Sequence, residues 1–358
     1  MKSRYIFIYN GFEKRSGGAL NHAKELSFYL KNKKIDFLIY TLDSLPLIIR
    51  FIPHLSLYSF SKISIGLGLL LKHKISSLFF KYFLSIKKSD IIIFEDIYIS
   101  WNHPKYCMVL HALLSDNMDS FKHSKLDLYL LRSIEKKIIN RKKEIIYTVS
   151  KEYLEFINYT LKTNLKNHIS LFTSFKPNKN YKKNHENSKK ISKEYLLKIV
   201  TISWLEARKN ILFLVKIAKR LEELNVKYKW DIIGDGELKN KLIKEIDKYG
   251  LQKNIKLLGR KTKKELENKL PDYDLFILTS KKESFSFALL EARLSNLPTI
   301  AYKYLEVPNQ FISIPVENWE LNLWVEKIIN YRKLKIKKFS GKEFSAKYHF
   351  ENLKNLIY

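Results

Sequence analysis

Short unbroken runs of apolar residues recur along the chain. Each gives way to a polar turn and then to apolar positions spaced three and four apart. The runs at 5–9, 36–41, 91–94, 106–110 and 144–149, and again at 197–202, 228–233, 255–258, 275–278 and 297–301, fit strands covered on both faces, which need no polar alternation. Between them, 20–32 sets Leu20, Ala23, Leu26 and Leu30 on one helical face. The stretch 211–224 does the same with Leu212, Val215, Ala218 and Leu221. Further helices are predicted over 126–140, from Lys151 behind the cap Ser150, up to Tyr249, over 319–338 and at the amphipathic C-terminal end. Strand and helix in alternation predict an α/β chain with parallel sheets. The segment 176–193 is dense in Lys, Asn and Ser, has no apolar period and reads as a linker. The predicted division is therefore 1–175, a linker 176–193, 194–335 and a closing helical segment 336–358.

The most informative stretch is 275–301. A strand at 275–278 leads into a polar loop, Ser284 or Ser286 can cap the helix that follows, and Asn296 tolerates the left-handed conformation that ends it, with Pro298 just beyond. In a parallel sheet this strand-to-helix turn lies at the carboxyl edge, where ligands bind. Glu283 stands in the turn and Glu291 eight residues on, about 12 Å of helical rise away. A diphosphate at the helix amino end would have a carboxylate acceptor for hydroxyl groups on each side. Two solvated surface acids would give the same spacing.

Composition narrows the classes. There are 66 Lys and Arg against 36 Asp and Glu, a net charge of +30, which suggests an anionic partner. The lysines are dispersed and no recognised nucleic-acid motif interleaves them with aromatics, so nucleic acid is not expected. The single cysteine, Cys107, rules out an internal disulfide and reads as a small buried hydrophobe. The run 5–9 is too short for a signal-peptide core or a membrane span and reads as the first strand. No G-x-G-x-x-G follows it, which disfavours a dinucleotide oxidoreductase. In 45–88 apolar and aromatic residues mix with Arg50, Lys62, Lys72, Lys74, Lys81, Lys87 and Lys88. Charges break this stretch too often for a transmembrane helix. It reads either as a basic amphipathic surface for an anionic membrane or as packed helices whose lysines reach outward. Asp272-Tyr273-Asp274 precedes its strand, and no Cys/His cluster has ligand spacing, so no metal is expected. His111 ends the strand 106–110, a position suited to meeting a ligand.

The stretch 275–301 resembles the signature of retaining nucleotide-sugar glycosyltransferases of the GT-B fold, glycosyltransferase family 4. Ser280, Glu283, Phe285, Glu291, Ala292 and Pro298 fall where that pattern has them, and Ser284, Ser286 and Asn296 stand where it usually has glycine. A serine there is harmless at negative φ and strained at positive φ. The strand–loop–helix start with Gly17 and Gly18 is also similar to the family, as is the order of elements over 5–41 and 91–358. The family usually has an Arg where Trp204 stands. Lys209 matches a family cation, and Arg208 is its neighbour, although adjacent helical side chains diverge by about 100°. The stretch 302–310 lacks the Gly-Gly pair that relatives carry there.

The resemblance implies two Rossmann-like domains with parallel sheets facing across a cleft, a first that binds acceptor and a second that binds donor, with the C-terminal helix crossing back to the first. It implies His111 and Glu283 as catalytic, and Gly17, Gly18, Arg208, Lys209, Gly234, Ser286, Phe287 and Glu291 as donor-binding. The expected reaction moves a sugar from a nucleotide diphosphate donor, a UDP- or GDP-sugar, to a glycan or lipid-linked glycan, with retention and without metal. The expected setting is cytoplasmic, peripheral on the inner membrane, in polysaccharide, lipopolysaccharide or capsule assembly. The alternative is a catalytically inactive basic scaffold of the same fold at an anionic membrane.

Overall fold

The computed structural model describes residues 4–13, 18–61, 64–117, 125–178, 195–334, 336–337 and 339–357. The chain forms two compact units, Met1–Ser174 with Lys342–Tyr358, and Phe175–Gly341.

The first unit runs β1 (Tyr5–Ile8), α1 (Gly18–Asn32), β2 (Phe37–Tyr40), α2 (Ile52–Ser61), α3 (Ile65–Phe83), β3 (Ile91–Phe94), β4 (Tyr106–Leu110), α4 (Leu114–Asn117), α5 (Lys125–Lys142), β5 (Ile146–Thr148) and α6 (Lys151–Leu161). Its strands are all parallel, in the order β2-β1-β3-β4-β5. β1 and β3 are buried along their whole length, as unbroken apolar runs require. Ser150 caps α6 by accepting from Tyr153 N–H. Cys107 is buried in β4, where burial pushes its thiol far above the usual range and leaves it inert. The last helix, here labelled α12 (Ala346–Ile357), belongs to this unit, with the Phe350 ring 5.6 Å from that of Tyr5 and 5.4 Å from that of Tyr29.

The stretch 45–88 holds α2 and α3, and the two behave differently. α3 buries Gly66, Gly68, His73, Ser76 and Phe80, and Ser77 donates to the Ile99 carbonyl (3.0 Å). A Cβ on Gly66 would come within 3.2 Å of Leu131. α2 leaves Leu55 and Tyr58 63% and 68% exposed, and Leu67, Leu78, Tyr82 and Phe83 of α3 are exposed as well. Among the described residues no helix is long and apolar enough to cross a membrane.

The second unit runs β6 (Leu197–Ile202), α7 (Phe213–Glu223), β7 (Tyr228–Ile233), α8 (Lys239–Lys248), β8 (Ile255–Leu257), α9 (Lys263–Lys269), β9 (Leu275–Leu278), α10 (Phe287–Leu294), β10 (Thr299–Tyr302), β11 (Ile314–Val316) and α11 (Leu321–Asn330). The sheet is again parallel, ordered β11-β10-β9-β6-β7-β8. Trp230 is fully buried in it and donates Nε1–H to Thr201 Oγ1 (3.1 Å). Two elements escape the sequence pattern. β11 is three residues with Pro315 at its centre, tolerated because it is the edge strand. α9 is announced only by its capping box, Thr262 with Glu265. The helix predicted over 319–338 is shorter than its apolar period: it ends at Asn330 and tightens to a 3₁₀ turn in which Tyr331 buries and Arg332 lies over the Tyr195 ring at 3.8 Å. Of the predicted linker, only 176–178 are among the described residues, where Lys176 and Asn178 N–H groups donate to Glu267 of α9. The Asp272-Tyr273-Asp274 triplet is structural. Asp274 is buried and exchanges backbone-directed hydrogen bonds with Lys198 (2.7 and 2.8 Å), and Tyr273 donates to Asp231 (2.5 Å).

Candidate functional site

In each sheet the strand order reverses direction at one place, and there the loops at the carboxyl edge part to leave room for a ligand. In the second unit that place lies between β6 and β9, in the first between β1 and β3. The residues with chemistry gather at both.

The loop after β6 turns once as a 3₁₀ helix, Ala207–Lys209, and is ended by Asn210 in the left-handed region (φ 49). It is tied sideways to the loop after β7, with Leu205 N–H donating to the Asp235 carbonyl (3.0 Å) and Leu238 N–H to that of Leu205 (2.8 Å). Gly234, with φ +145, makes this approach feasible, since a Cβ there would lie 1.8 Å from the Ser203 carbonyl oxygen. The loop is also tied to the one after β9. Lys281 N–H donates to the Arg208 carbonyl (3.0 Å), and Thr279 hydroxyl to that of Lys209 (3.1 Å).

These ties bring Lys209 to Glu283. The ammonium donates to Oε1 at 2.5 Å, and the Ser280 hydroxyl donates to the same oxygen at 2.7 Å. Arg208, whose side chain the helical spacing sends elsewhere, also reaches this carboxylate at 3.9 Å while donating to Glu206 (2.8 Å) and the Lys282 carbonyl (3.2 Å). The length of the guanidinium arm closes the gap that the spacing opens. Burial alone would raise the Glu283 carboxyl, but the Lys209 and Arg208 charges and the two hydrogen bonds overcome it and hold the group below the ordinary range. It is therefore a carboxylate acceptor.

Glu291 behaves differently. Burial pushes its carboxyl up to about 7, with the Lys263 charge too weak to restore it and Glu267 opposing. The structure links it to α9 rather than to Glu283. Ser286, not Ser284, caps α10, accepting from Leu289 N–H (3.4 Å) with φ 67 and ψ 86. The serine thus occupies the positive-φ position where a Cβ costs roughly 1–2 kcal/mol. Asn296 is left-handed as predicted, with φ 58. Phe287 sits at the start of α10, its ring 5.2 Å from that of buried Phe285. Trp204 is not the end of the cation question, because the Arg260 guanidinium lies over its ring at 4.4 Å. Sequence reading missed Arg260. The only local signal was its place at the end of a strand-like run.

In the first unit Glu95 follows β3 directly and is buried. It takes hydrogen bonds from two histidines, His22 Nδ1 of α1 at 2.8 Å and His111 Nε2 at 2.7 Å. His22 Nε2 meets His349 Nε2 of α12 at 2.9 Å, and His349 Nδ1 donates to the Ser170 carbonyl at 2.8 Å. The ligand-type atoms of His22, Glu95 and His111 lie within 4.8 Å of one another, close enough to share one cation. Here the two imidazoles both donate to the carboxylate, which makes the cluster a hydrogen-bonded one. Gly18 opens α1 and is exposed, while Gly17 lies outside the described residues. In the sequence Glu95 and Asp96 follow the apolar run 91–94 as an acidic pair, but nothing local marks His22 or His349.

Residues 181–313 match the family described as Glycosyl transferases group 1. A poly(ribitol-phosphate) α-N-acetylglucosaminyltransferase of Staphylococcus aureus is 29% identical over 133 residues, 36% of this chain and 27% of that protein. An uncharacterized glycosyltransferase of Methanocaldococcus jannaschii is 37% identical over 102 residues, 28% of this chain and 25% of that protein. The matches thus span about a quarter of the length of these curated relatives. Among solved structures, a sucrose-phosphate synthase from Thermosynechococcus elongatus superposes with a TM-score of 0.70 at 12% identity, over 99% of this chain and 95% of that one. Anabaena HepE in complex with UDP and glucose gives 0.61 at 15% identity, over 99% of both. At such identities the likeness is one of fold. Residues 181–313 accordingly form a Glycosyl transferases group 1 domain, in a chain with the GT-B glycosyltransferase fold of two parallel-sheet α/β units.

Proposed function

We propose that this chain transfers a sugar from a nucleoside diphosphate donor to a hydroxyl of a glycan acceptor, with retained anomeric configuration and without a metal ion. The observation that carries the reading is the convergence of Lys209 and Arg208 on Glu283 at the switch point between β6 and β9. The leaving diphosphate gains charge as the bond from the anomeric carbon to its oxygen breaks, and preorganised cations stabilise that charge. Lys209 and Arg208 supply it from the second unit, with the free N–H groups at the start of α10. Arg260, held on Trp204, restores the guanidinium that Trp204 lacks, and this weighs against the inactive-scaffold alternative. Glu291 accepts from ribose hydroxyls once ionised. Glu283 remains a carboxylate, which suits it to accept from a sugar hydroxyl or to face an oxocarbenium-like carbon and makes it a poor proton donor. The two-carboxylate scheme of glycoside hydrolases is therefore not used. The acceptor oxygen attacks from the face the diphosphate leaves, and its proton passes to the departing phosphate oxygen. His111 offers a hydroxyl contact at the edge of the first unit's sheet.

HepE binds UDP and glucose, which supports a uridine donor here, with GDP-sugars as the second choice. The net charge of +30 suits an anionic glycan acceptor, as does the poly(ribitol-phosphate) relative. The exposed apolar residues of α2 and α3, with Lys74, Lys81, Lys87 and Lys88 also exposed, suit a peripheral hold on an anionic cytoplasmic membrane face. Lipid-linked acceptors would then be at hand. Flotation with anionic vesicles tests this part: binding that survives reversal of those four charges removes it.

The main test is a thermal-shift panel of UDP, GDP, ADP and CMP and their sugars, without metal. A ligand at about 100 times its dissociation constant adds roughly 2.7 kcal/mol. A shift with one base, lost in Glu291→Ala, supports the reading. No shift with any nucleotide overturns it.

A further inference from the structure

The histidines around Glu95 can be counted proton by proton. His349 Nδ1 faces the Ser170 carbonyl at 2.8 Å, so that nitrogen carries a proton. The two Nε2 atoms of His349 and His22 are 2.9 Å apart, so one of them carries a proton. His22 Nδ1 faces both oxygens of Glu95, at 2.8 and 3.0 Å, and carries a third. Two rings therefore hold three protons and one positive charge between them. Burial, and then the charge of its neighbour, push His349 down to about 3, so His349 is neutral and accepts. His22 Nε2 is then the donor to His349, and the third proton lies in the bond between His22 Nδ1 and the carboxylate. Burial works against Glu95, yet His22 and the bonds from both histidines bring its carboxyl down to about 2, so it is ionised. His111 Nε2 donates to the same carboxylate at 2.7 Å, and burial holds that ring below the ordinary histidine range despite Glu95. A neutral ring with its proton on Nε2 has a lone pair on Nδ1, and no protein group among the described residues bonds that nitrogen.

We propose that the buried His22–Glu95 pair locks His111 in the Nε2-protonated tautomer, so that His111 presents Nδ1 as a hydrogen-bond acceptor for a sugar hydroxyl. Glu95 is a positioning residue for His111. His349, from the final helix, positions His22 in turn, and thereby ties α12 to the ligand edge of this sheet. His111 then selects a ligand that brings a hydroxyl donor and discriminates against a deoxy sugar lacking it, because the nitrogen would lose its partner. The sugar part rests on the function proposed above; the tautomer part does not.

The test is a long-range ¹H–¹⁵N spectrum of the ¹⁵N-histidine-labelled full chain at pH 7, with rings assigned by single substitutions. The expected pattern is His111 protonated on Nε2 only, His22 on both nitrogens and His349 on Nδ1 only. In Glu95→Gln, which keeps the shape, His22 is expected to lose its second proton and His111 to populate both tautomers. Turnover of UDP-glucose is expected to fall roughly tenfold in kcat, the scale of one lost hydrogen bond, with a smaller change in KM. His111 protonated on Nδ1 in the unaltered protein overturns the proposal, and so does a Glu95→Gln chain with unchanged tautomers and kcat. A stoichiometric shift of His22 and His111 on adding Zn²⁺ alone also overturns it, by making the cluster a metal site. If Glu95→Gln does not fold, the wild-type spectrum decides. The expected spectrum in a protein that binds no nucleotide leaves the tautomer lock standing and removes the transferase reading.

Discussion

Replacing Lys209 by Met removes the nearest charge from a buried carboxylate while keeping the length of the side chain. Breaking a buried ion pair costs about 3–5 kcal/mol. Arg208 remains at 3.9 Å and Ser280 still donates, so we expect a loss of about 3 kcal/mol at pH 7. The loss depends on pH in a definite sense. In the natural protein the folded pKa of Glu283 is lowered, so its contribution is present above the unfolded value near 4.3 and fades as pH falls through the folded pKa. Without Lys209, burial dominates and raises that pKa, so the variant loses stability as pH climbs from about 4.3. One proton is worth about 1.36 kcal/mol per pH unit, so the gap between the proteins widens by about 2 kcal/mol from pH 4.5 to pH 7. Urea unfolding followed by tryptophan fluorescence reads it, because Trp230 and Trp324 are fully buried in the second unit. Lys209→Met with Glu283→Gln is expected to recover all but about 1 kcal/mol and still bind UDP poorly. A gap that stays flat across this pH range would refute the reasoning, as would a double variant no more stable than the single one.

Glu291 has its folded pKa raised to about 7, so its contribution is present below the unfolded value and lost as pH rises through 7. Glu291→Gln is therefore expected to be the more stable protein at pH 8, by about 3–4 kcal/mol, and no different at pH 4.5. UDP affinity in the natural protein is expected to rise between pH 6 and 8, a rise absent from Glu291→Gln in calorimetric titrations. Ser286→Gly relieves a Cβ at φ 67 but forfeits a long cap bond, and is expected to stabilise by about 1 kcal/mol in thermal unfolding. Gly234→Ala drives a Cβ to 1.8 Å from the Ser203 carbonyl. It is expected to cost about 3 kcal/mol or more and to lower nucleotide affinity by shifting the loop that carries Lys209.

The sequence by itself determined most of the elements and their order, with α9 and β11 the exceptions in the second unit. Unbroken apolar runs mark buried parallel strands, and β3, β4, β6, β7 and β9 begin and end where the runs do. Local chemistry also reaches the turn around Ser286 and Asn296, because caps and left-handed positions are set by neighbours within a few residues. β11 stayed hidden because its Pro315 reads as a breaker until the tertiary structure makes it an edge. What only the tertiary structure decided is which charged groups meet. Lys209 and Glu283 are 74 residues apart, and His22 and His349 are 327 apart. No periodicity encodes such pairs, since the crossovers that join them are set by sheet order and not by any local preference. The same holds for Arg260, which becomes a candidate diphosphate ligand only because the fold brings the loops after β6 and β8 together across the end of β7, where Trp204 offers it a face. Spacing named the acids Glu283 and Glu291, but their opposite protonation tendencies come from burial and from the cations each one meets, which folding alone supplies.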